Sequence, residues 1–332
     1  MVRRALIVCP GRGSYNRDSL GSLNGLEGST AVAAFDALRA SVGRQTVSQM
    51  DAAPRFSPAL HLAGENASSL TAAISLADLE QLNPDTIQPV AVCGNSMGWY
   101  TALAYAGGLP IEDAARLIET MGQYQADNVI GGQIVYPVVD DAWRPDPRRV
   151  AMVDDAVRQT PGLHWSIRLG GQAVLGGTAD AIAAAPLPPI EGRYTFPLRL
   201  PMHSAFHTPL LQKTARRAQQ ALADLRFQAP RLPLIDGMGK VWRPIFADPL
   251  EMLDYTLGAQ VVMPYDFTTM LKTALREYAP DLIVLPGPGD SLGGAIGQTL
   301  VAEGWMGITD REAFIDRQRS EPILISMRRD EQ

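Results

Sequence analysis

The segment Pro89–Cys93 (PVAVC) runs straight into Gly94-Asn95-Ser96-Met97-Gly98, and Met97–Ala106 then reads as a helix closed by Gly107-Gly108. A short apolar run of this kind reads as a strand buried on both faces, which requires a sheet with helices packed on either side. The rest of the chain supplies the matching pieces. Ala5–Cys9 (ALIVC) reads as a second buried strand ending in the turn Gly11-Arg12-Gly13. Ala31–Val42 and Leu62–Leu82 read as helices, and a further helix runs from Pro110 to about Gln125. After His207 come a helix from Pro209 to about Leu225, a strand at Leu232–Ile235, a helix near Asp266–Tyr278 and a buried strand at Asp281–Leu285. Strands alternating with helices imply an α/β fold with a largely parallel sheet. The tail after Arg311 carries little signal.

Between these halves the texture changes. Ile134–Val139, a helix around Arg148–Gln159, His164–Leu169, Ala173–Leu175, a short Ala-rich helix and Tyr194–Leu198 follow in turn. Strand, helix, strand, strand, helix, strand is the order of a ferredoxin-like unit. The expected organisation is therefore a large domain of 1–126 and 200–332, with an inserted subdomain at 127–199.

The formal net charge of −6 argues against nucleic-acid binding, which needs a surplus of cations to displace counterions from phosphates. No apolar stretch approaches the roughly 20 residues of a membrane span, and Arg3-Arg4 precedes only a short apolar run, unlike a secretory leader. Cys9 and Cys93 are too few for a disulfide framework or a Cys-rich zinc site and read as buried free thiols. The chain is expected to be soluble, cytoplasmic and monomeric, with no metal.

Gly94-Asn95-Ser96-Met97-Gly98 matches G-x-S-x-G, the nucleophile elbow, in its required strand–turn–helix context. The turn lifts the serine hydroxyl out and aims the helix N-terminus at it, so the Met97 amide can stabilise an oxyanion. Gly289-Asp290-Ser291-Leu292-Gly293 matches the same pattern and contains GDSL, but no histidine follows it, so it reads as a structural turn. Gly11-Arg12-Gly13-Ser14-Tyr15-Asn16 begins like a dinucleotide fingerprint, yet Asn16 stands where the third glycine belongs; it reads as a tight loop whose amides face the site. A serine nucleophile needs a base, and His203 and His207 are both candidates. Their spacing could suit a metal, but no helix pattern and no third ligand accompany it.

Taken in order, these pieces resemble the malonyl-CoA:acyl-carrier-protein transacylase family, which includes the acyltransferase domains of polyketide and fatty acid synthases. Gly94–Leu103 (GNSMGWYTAL) is similar to the family's GHSLGEYTAL, and Ala205–Leu210 (AFHTPL) to its AFHSPLM. Pro10–Ser14 is similar to PGQGS, Gln260–Pro264 to its QLxxPV stretch, and Pro286–Gly289 to its late GPG turn. The resemblance implies an α/β-hydrolase-like large domain with a ferredoxin-like insert. It implies Ser96 as nucleophile, His207 as base, the amides of Arg12 and Met97 as oxyanion hole, and a Gln260 carbonyl that orients His207. An ordinary α/β-hydrolase would put its histidine near the C-terminus, whereas His207 is the last histidine here and lies well before the end.

The sequence also departs from that pattern. Met121 occupies the place of the arginine that pairs with the malonyl carboxylate, and a thioether cannot form that charge-assisted pair. Asn95 replaces the usual histidine before the nucleophile, Ser57 replaces a pocket glutamine, and Phe206 is retained; with Met121 these are the expected acyl-pocket residues. Arg12 and Arg116 are candidate replacement cations. The expected activity is acyl transfer from acyl-CoA to the phosphopantetheine thiol of an acyl carrier protein, with no permanently bound cofactor and with doubtful malonyl selectivity. The alternatives are a carrier-protein thioester hydrolase and a non-catalytic carrier-protein-binding homologue. Lys213, Arg216 and Arg217, or Arg144, Arg148 and Arg149, are candidate docking cations for an acidic carrier.

Overall fold

A computed structural model describes residues 2–127, 129–192 and 194–328. Its strands, in chain order, are β1 (Arg3–Cys9), β2 (Ile87–Gly94), β3 (Gly132–Pro137), β4 (Leu163–Leu169), β5 (Gln172–Gly177), β6 (Leu198–Leu200), β7 (Leu234–Ile235), β8 (Val241–Trp242), β9 (Tyr265–Asp266), β10 (Leu282–Leu285) and β11 (Leu324–Ser326). The large sheet runs β11-β10-β1-β2-β7-β8 and is parallel except for the β7–β8 hairpin. β1 and β2 occupy its centre, as their unbroken apolar sequences require; Ala5–Cys9 and Ala91–Cys93 are fully buried. Both cysteines are free, and burial pushes their thiols up.

The small sheet runs β6-β3-β5-β4-β9, and its first four strands are antiparallel. That is the ferredoxin-like order, so the fold is an α/β-hydrolase-like domain with a ferredoxin-like subdomain. The last strand of the insert lies later than Tyr194–Leu198. Pro197 has no N–H to donate, and the ladder with β3 begins at Leu198. β9 comes from beyond the insert and pairs with β4 in parallel, which ties the two units together. We propose 1–126 with 200–332, and 127–199, as the two folding units; positions 1, 128, 193 and 329–332 lie outside the described residues.

The tail is better structured than its sequence suggests. Asp310 caps the helix Arg311–Ser320 through the Ala313 N–H, and β11 then extends the large sheet beside β10. Among the described residues no helix is long and apolar enough to cross a membrane.

Two helices matter for the site. Gly64–Leu79 is buried along almost its whole length and packs against Ile111–Asp127. The latter is pinned by Glu119, which pairs with buried Arg39 at 2.6 Å and accepts from Ser69 at 2.5 Å. Arg39 also bonds Asn66 and the Gln45 carbonyl, so this buried pair is well satisfied.

Candidate active site

The turn after β2 admits only small residues at its two ends. A Cβ on Gly94 would fall on the Gly98 carbonyl, and one on Gly98 would fall on the Cys9 carbonyl at the end of β1. Between them Ser96 adopts φ 56°, a left-handed conformation that costs a non-glycine residue energy and turns its hydroxyl away from the sheet. Met97 follows at the start of the helix Gly98–Tyr105, where amides lack intrahelical carbonyl partners.

His207 is also left-handed, at φ 55°, and is 4% exposed. Its Nδ1 donates to the Gln260 carbonyl at 2.6 Å, which leaves Nε2 as an acceptor 2.7 Å from Ser96 Oγ. The Ser96 hydroxyl therefore donates to Nε2, the arrangement of a nucleophile and its base. Burial pulls the His207 pKa down to about 4 against the opposing pull of the Gln260 carbonyl, so the ring is neutral near pH 7.

Gln260 directly follows a π-turn, Tyr255–Ala259. Its side chain braces the elbow as well: Nε2 donates to the Ser96 carbonyl at 3.1 Å, and Oε1 accepts from the Tyr100 hydroxyl at 2.8 Å. Tyr265 closes the group, with its hydroxyl donating to the Gly94 carbonyl and its ring centroid 5.2 Å from that of His207.

These groups open onto a cavity between the two sheets. Apolar walls come from Met97, Ile118, Met121, Ile167, Phe206, Leu211 and Val261, with polar side chains from Arg12, Ser68, Asn95, Gln125, Gln133 and His203. The structure thus brings Ser96, His207, Gln260, Met97, Arg12, Met121, Phe206 and Asn95 to one place. Asn95 is buried, and its Oδ1 has no hydrogen-bond partner among the described residues. The Arg12 guanidinium donates to Gln125 Oε1 at 2.7 Å and to the Leu62 and Met202 carbonyls, both at 3.2 Å, and lies 5.9 Å from the Phe206 ring centroid. Burial lowers its pKa, and Glu65 opposes that shift.

Two expectations are corrected. Ser57 does not line this cavity: it precedes the short helix Pro58–His61 without a side-chain capping bond, and its N–H is taken by His61 Nδ1 at 2.9 Å. Arg116 is no pocket cation either; it faces outward and pairs with Asp224 at 3.0 Å and Asp113 at 3.6 Å. Ser291 lies off the cavity, its hydroxyl 2.8 Å from that of Ser14, so the GDSL string is a turn.

Lys213, Arg216 and Arg217 are exposed on the helix Gln212–Ala221, whose Thr214 lines the cavity. Arg217 lies 3.8 Å from the ring centroid of Tyr124, another lining residue. Of the insert cations, Arg144 and Arg149 are paired locally with Asp140 and Asp146.

Sequence reasoning missed Tyr100, Tyr265, Gln133 and Ser166. Tyr100 had a local signal, one helical turn after Ser96. The other three had none, because they reach the site through strand pairing with distant segments. Among the described residues no group of three or more His, Cys, Asp or Glu could hold a metal ion.

No family model matches the chain. It is 25% identical over 233 residues to the malonyl CoA-acyl carrier protein transacylase of Bacillus subtilis, covering 70% of this chain and 71% of that protein. It is 27% identical over 216 residues to polyketide synthase GfsB of Streptomyces halstedii, covering 62% of this chain but only 4% of that much longer protein. Among solved structures, a malonyl-CoA:ACP transacylase of Synechocystis superposes with a TM-score of 0.72 at 18% identity, over 90% of this chain and 94% of that one. A malonyl-transacylase solved in complex with a type II polyketide synthase acyl-carrier protein superposes at 0.69 and 18%, over 90% and 93%.

Proposed function

We propose that this divergent relative of the malonyl-CoA:acyl-carrier-protein transacylases and polyketide synthase acyltransferases moves an acyl group from acyl-CoA to the phosphopantetheine thiol of an acyl carrier protein. The observation that carries the proposal is the Ser96 Oγ–His207 Nε2 contact of 2.7 Å with Nδ1 bound to the Gln260 carbonyl. Ser96 Oγ attacks the thioester carbonyl while His207 Nε2 takes its proton. The amides of Met97 and Arg12 receive the developing oxyanion. The C–S bond breaks, His207 returns the proton to the leaving thiolate, and a Ser96 ester remains. The carrier thiol then gives its proton to His207 and attacks that ester, which regenerates Ser96. A backbone carbonyl suffices to orient a neutral histidine, so the device needs no carboxylate.

Acidic carriers would approach along Lys213, Arg216 and Arg217, beside the cavity mouth. Water as acceptor in the second half would make the same site a carrier-protein thioester hydrolase. A purely binding role accounts for neither strained residue, Ser96 nor His207. The test is incubation with acetyl-, butyryl- and malonyl-CoA, following intact mass with and without holo carrier protein. Acylated carrier supports transfer. An acyl-enzyme that decays to free acid beside unmodified carrier makes it a hydrolase, and no adduct on Ser96 with any donor overturns both.

A further inference from the structure

One end of the cavity carries a hydrogen-bond relay that the acylation chemistry does not use. Ser166 Oγ lies 2.7 Å from the Phe206 carbonyl, which can only accept, so the hydroxyl donates there. Ser166 Oγ therefore accepts from Gln133 Nε2, at 2.6 Å. That orients the amide and makes Gln133 Oε1 the acceptor toward His203 Nδ1, at 2.7 Å. The proton of a neutral His203 then sits on Nδ1, and Nε2 is a bare acceptor in the wall of the cavity. His203 is in fact held neutral, its pKa drawn down to about 4 by burial and by the Arg12 cation.

Arg12 lines the same cavity, close enough for its charge to act on the His203 ring. Its hydrogen bonds go to an amide oxygen and two backbone carbonyls, all neutral, which take three of its five N–H groups, and the Glu65 carboxylate acts on it through charge alone. Met121, 6% exposed, offers no charge. The subsite therefore presents the bare His203 acceptor and the Arg12 cation in one cavity, with Asn95 Oδ1, unpartnered among the described residues, as a further acceptor in its lining. A carboxylate could pair with Arg12 but has no proton to give the His203 lone pair, and an alkyl chain would leave both groups unsatisfied.

Resting on the reading of Ser96 as nucleophile, we infer that the acyl subsite takes a hydroxylated acyl chain, whose O–H donates to His203 Nε2 and whose oxygen accepts from Arg12. Sites that hydrogen-bond a substrate hydroxyl reject analogues lacking it far more strongly than apolar pockets reject a methylene.

The test compares kcat/KM for Ser96 acylation by 3-hydroxybutyryl-, butyryl- and malonyl-CoA, each in a separate incubation. The hydroxylated donor is expected to lead both others by at least about tenfold, and His203→Phe is expected to bring its ratio to butyryl near one. Should that variant fail to fold, the wild-type ratio stands with a second readout. The imidazole 15N spectrum should show a bare Nε2 on His203 that becomes hydrogen-bonded in the hydroxybutyryl-enzyme and stays bare in the butyryl-enzyme. A wild-type ratio near one, a malonyl preference, or a proton on His203 Nε2 overturns the inference while the nucleophile reading stands. Acylation by none of the three overturns the nucleophile reading and this inference with it.

Discussion

The two ends of the cavity differ in how closely they follow the family pattern. At the reaction end, Ser96, His207 and Gln260 match the family motifs in residue type, and here they lie within contacts of 2.7 and 2.6 Å. At the acyl end, Met121, Asn95 and Arg12 all depart from it, and His203 adds a relay of its own. Proton transfer works only over hydrogen-bond distance, so the reaction end tolerates little change. Acyl selectivity depends on shape, charge and unsatisfied polar groups, which can be redistributed over any residues that line the wall.

The sharpest way to break this comparison is at the reaction end. Ser96→Ala is expected to abolish the acyl-enzyme and reduce turnover by at least about 10⁴-fold. An intact-mass adduct surviving in that variant would place the nucleophile elsewhere. His207→Ala should slow acylation by about 10²–10⁴-fold in stopped-flow release of CoA. Gln260→Ala keeps the orienting carbonyl but loses the bonds to Ser96 and Tyr100, so about a tenfold loss is expected. A loss as large as that of His207→Ala would mean that the side chain, not the carbonyl, is what matters. At the acyl end, Met121→Arg should raise malonyl use relative to butyryl several-fold, through a charge-assisted pair with the carboxylate. An unchanged ratio would show that position 121 no longer reads the acyl group.

The pH dependence sharpens the same contrast, because both ends contain a buried neutral histidine. His203 and His207 are each lowered from 6.5 to about 4. Between those values the unfolded chain binds protons that the folded chain does not, so stability rises with pH through this window. Their contribution is complete above about pH 6.5 and is lost as the pH falls toward 4. Each shift corresponds to about 3 kcal/mol. Asp78 and Asp236, raised by burial, work in the opposite direction. Urea midpoints at pH 7 and pH 5 should show the loss at the lower pH, and a higher midpoint at pH 5 would contradict it. Acylation should stay flat down to about pH 5, with its acid limb near 4 rather than 6.5.

Much of the architecture was legible in the sequence. The apolar runs at Ala5–Cys9 and Pro89–Cys93 became β1 and β2 at the sheet centre, because strands buried on both faces leave no polar alternation to misread. The insert's element order led directly to its sheet order. The closing strand moved because Pro197 supplies no ladder donor. The helix Arg311–Ser320 is rich in charge and β11 is only three residues long, so neither shows a clear local pattern; β11 becomes a strand by pairing with β10. Ser57 was placed in the pocket by motif position alone, yet its N–H was already committed to His61.

What the sequence by itself determined was local: the glycines that a tight elbow requires, the strand–turn–helix around Ser96, and the order of elements along the chain. These follow from sterics and periodicity between near neighbours. The family resemblance already pointed to a Gln260 carbonyl orienting His207, and the tertiary structure supplied that contact. Only it decided that Gln133 and Ser166 set the tautomer of His203, that Arg12 rather than Arg116 reaches the cavity, and that Lys213, Arg216 and Arg217 ride a helix beside its mouth. Each of those contacts joins segments far apart in sequence. Directional bonds between such segments depend on strand order and helix packing, which no local pattern encodes.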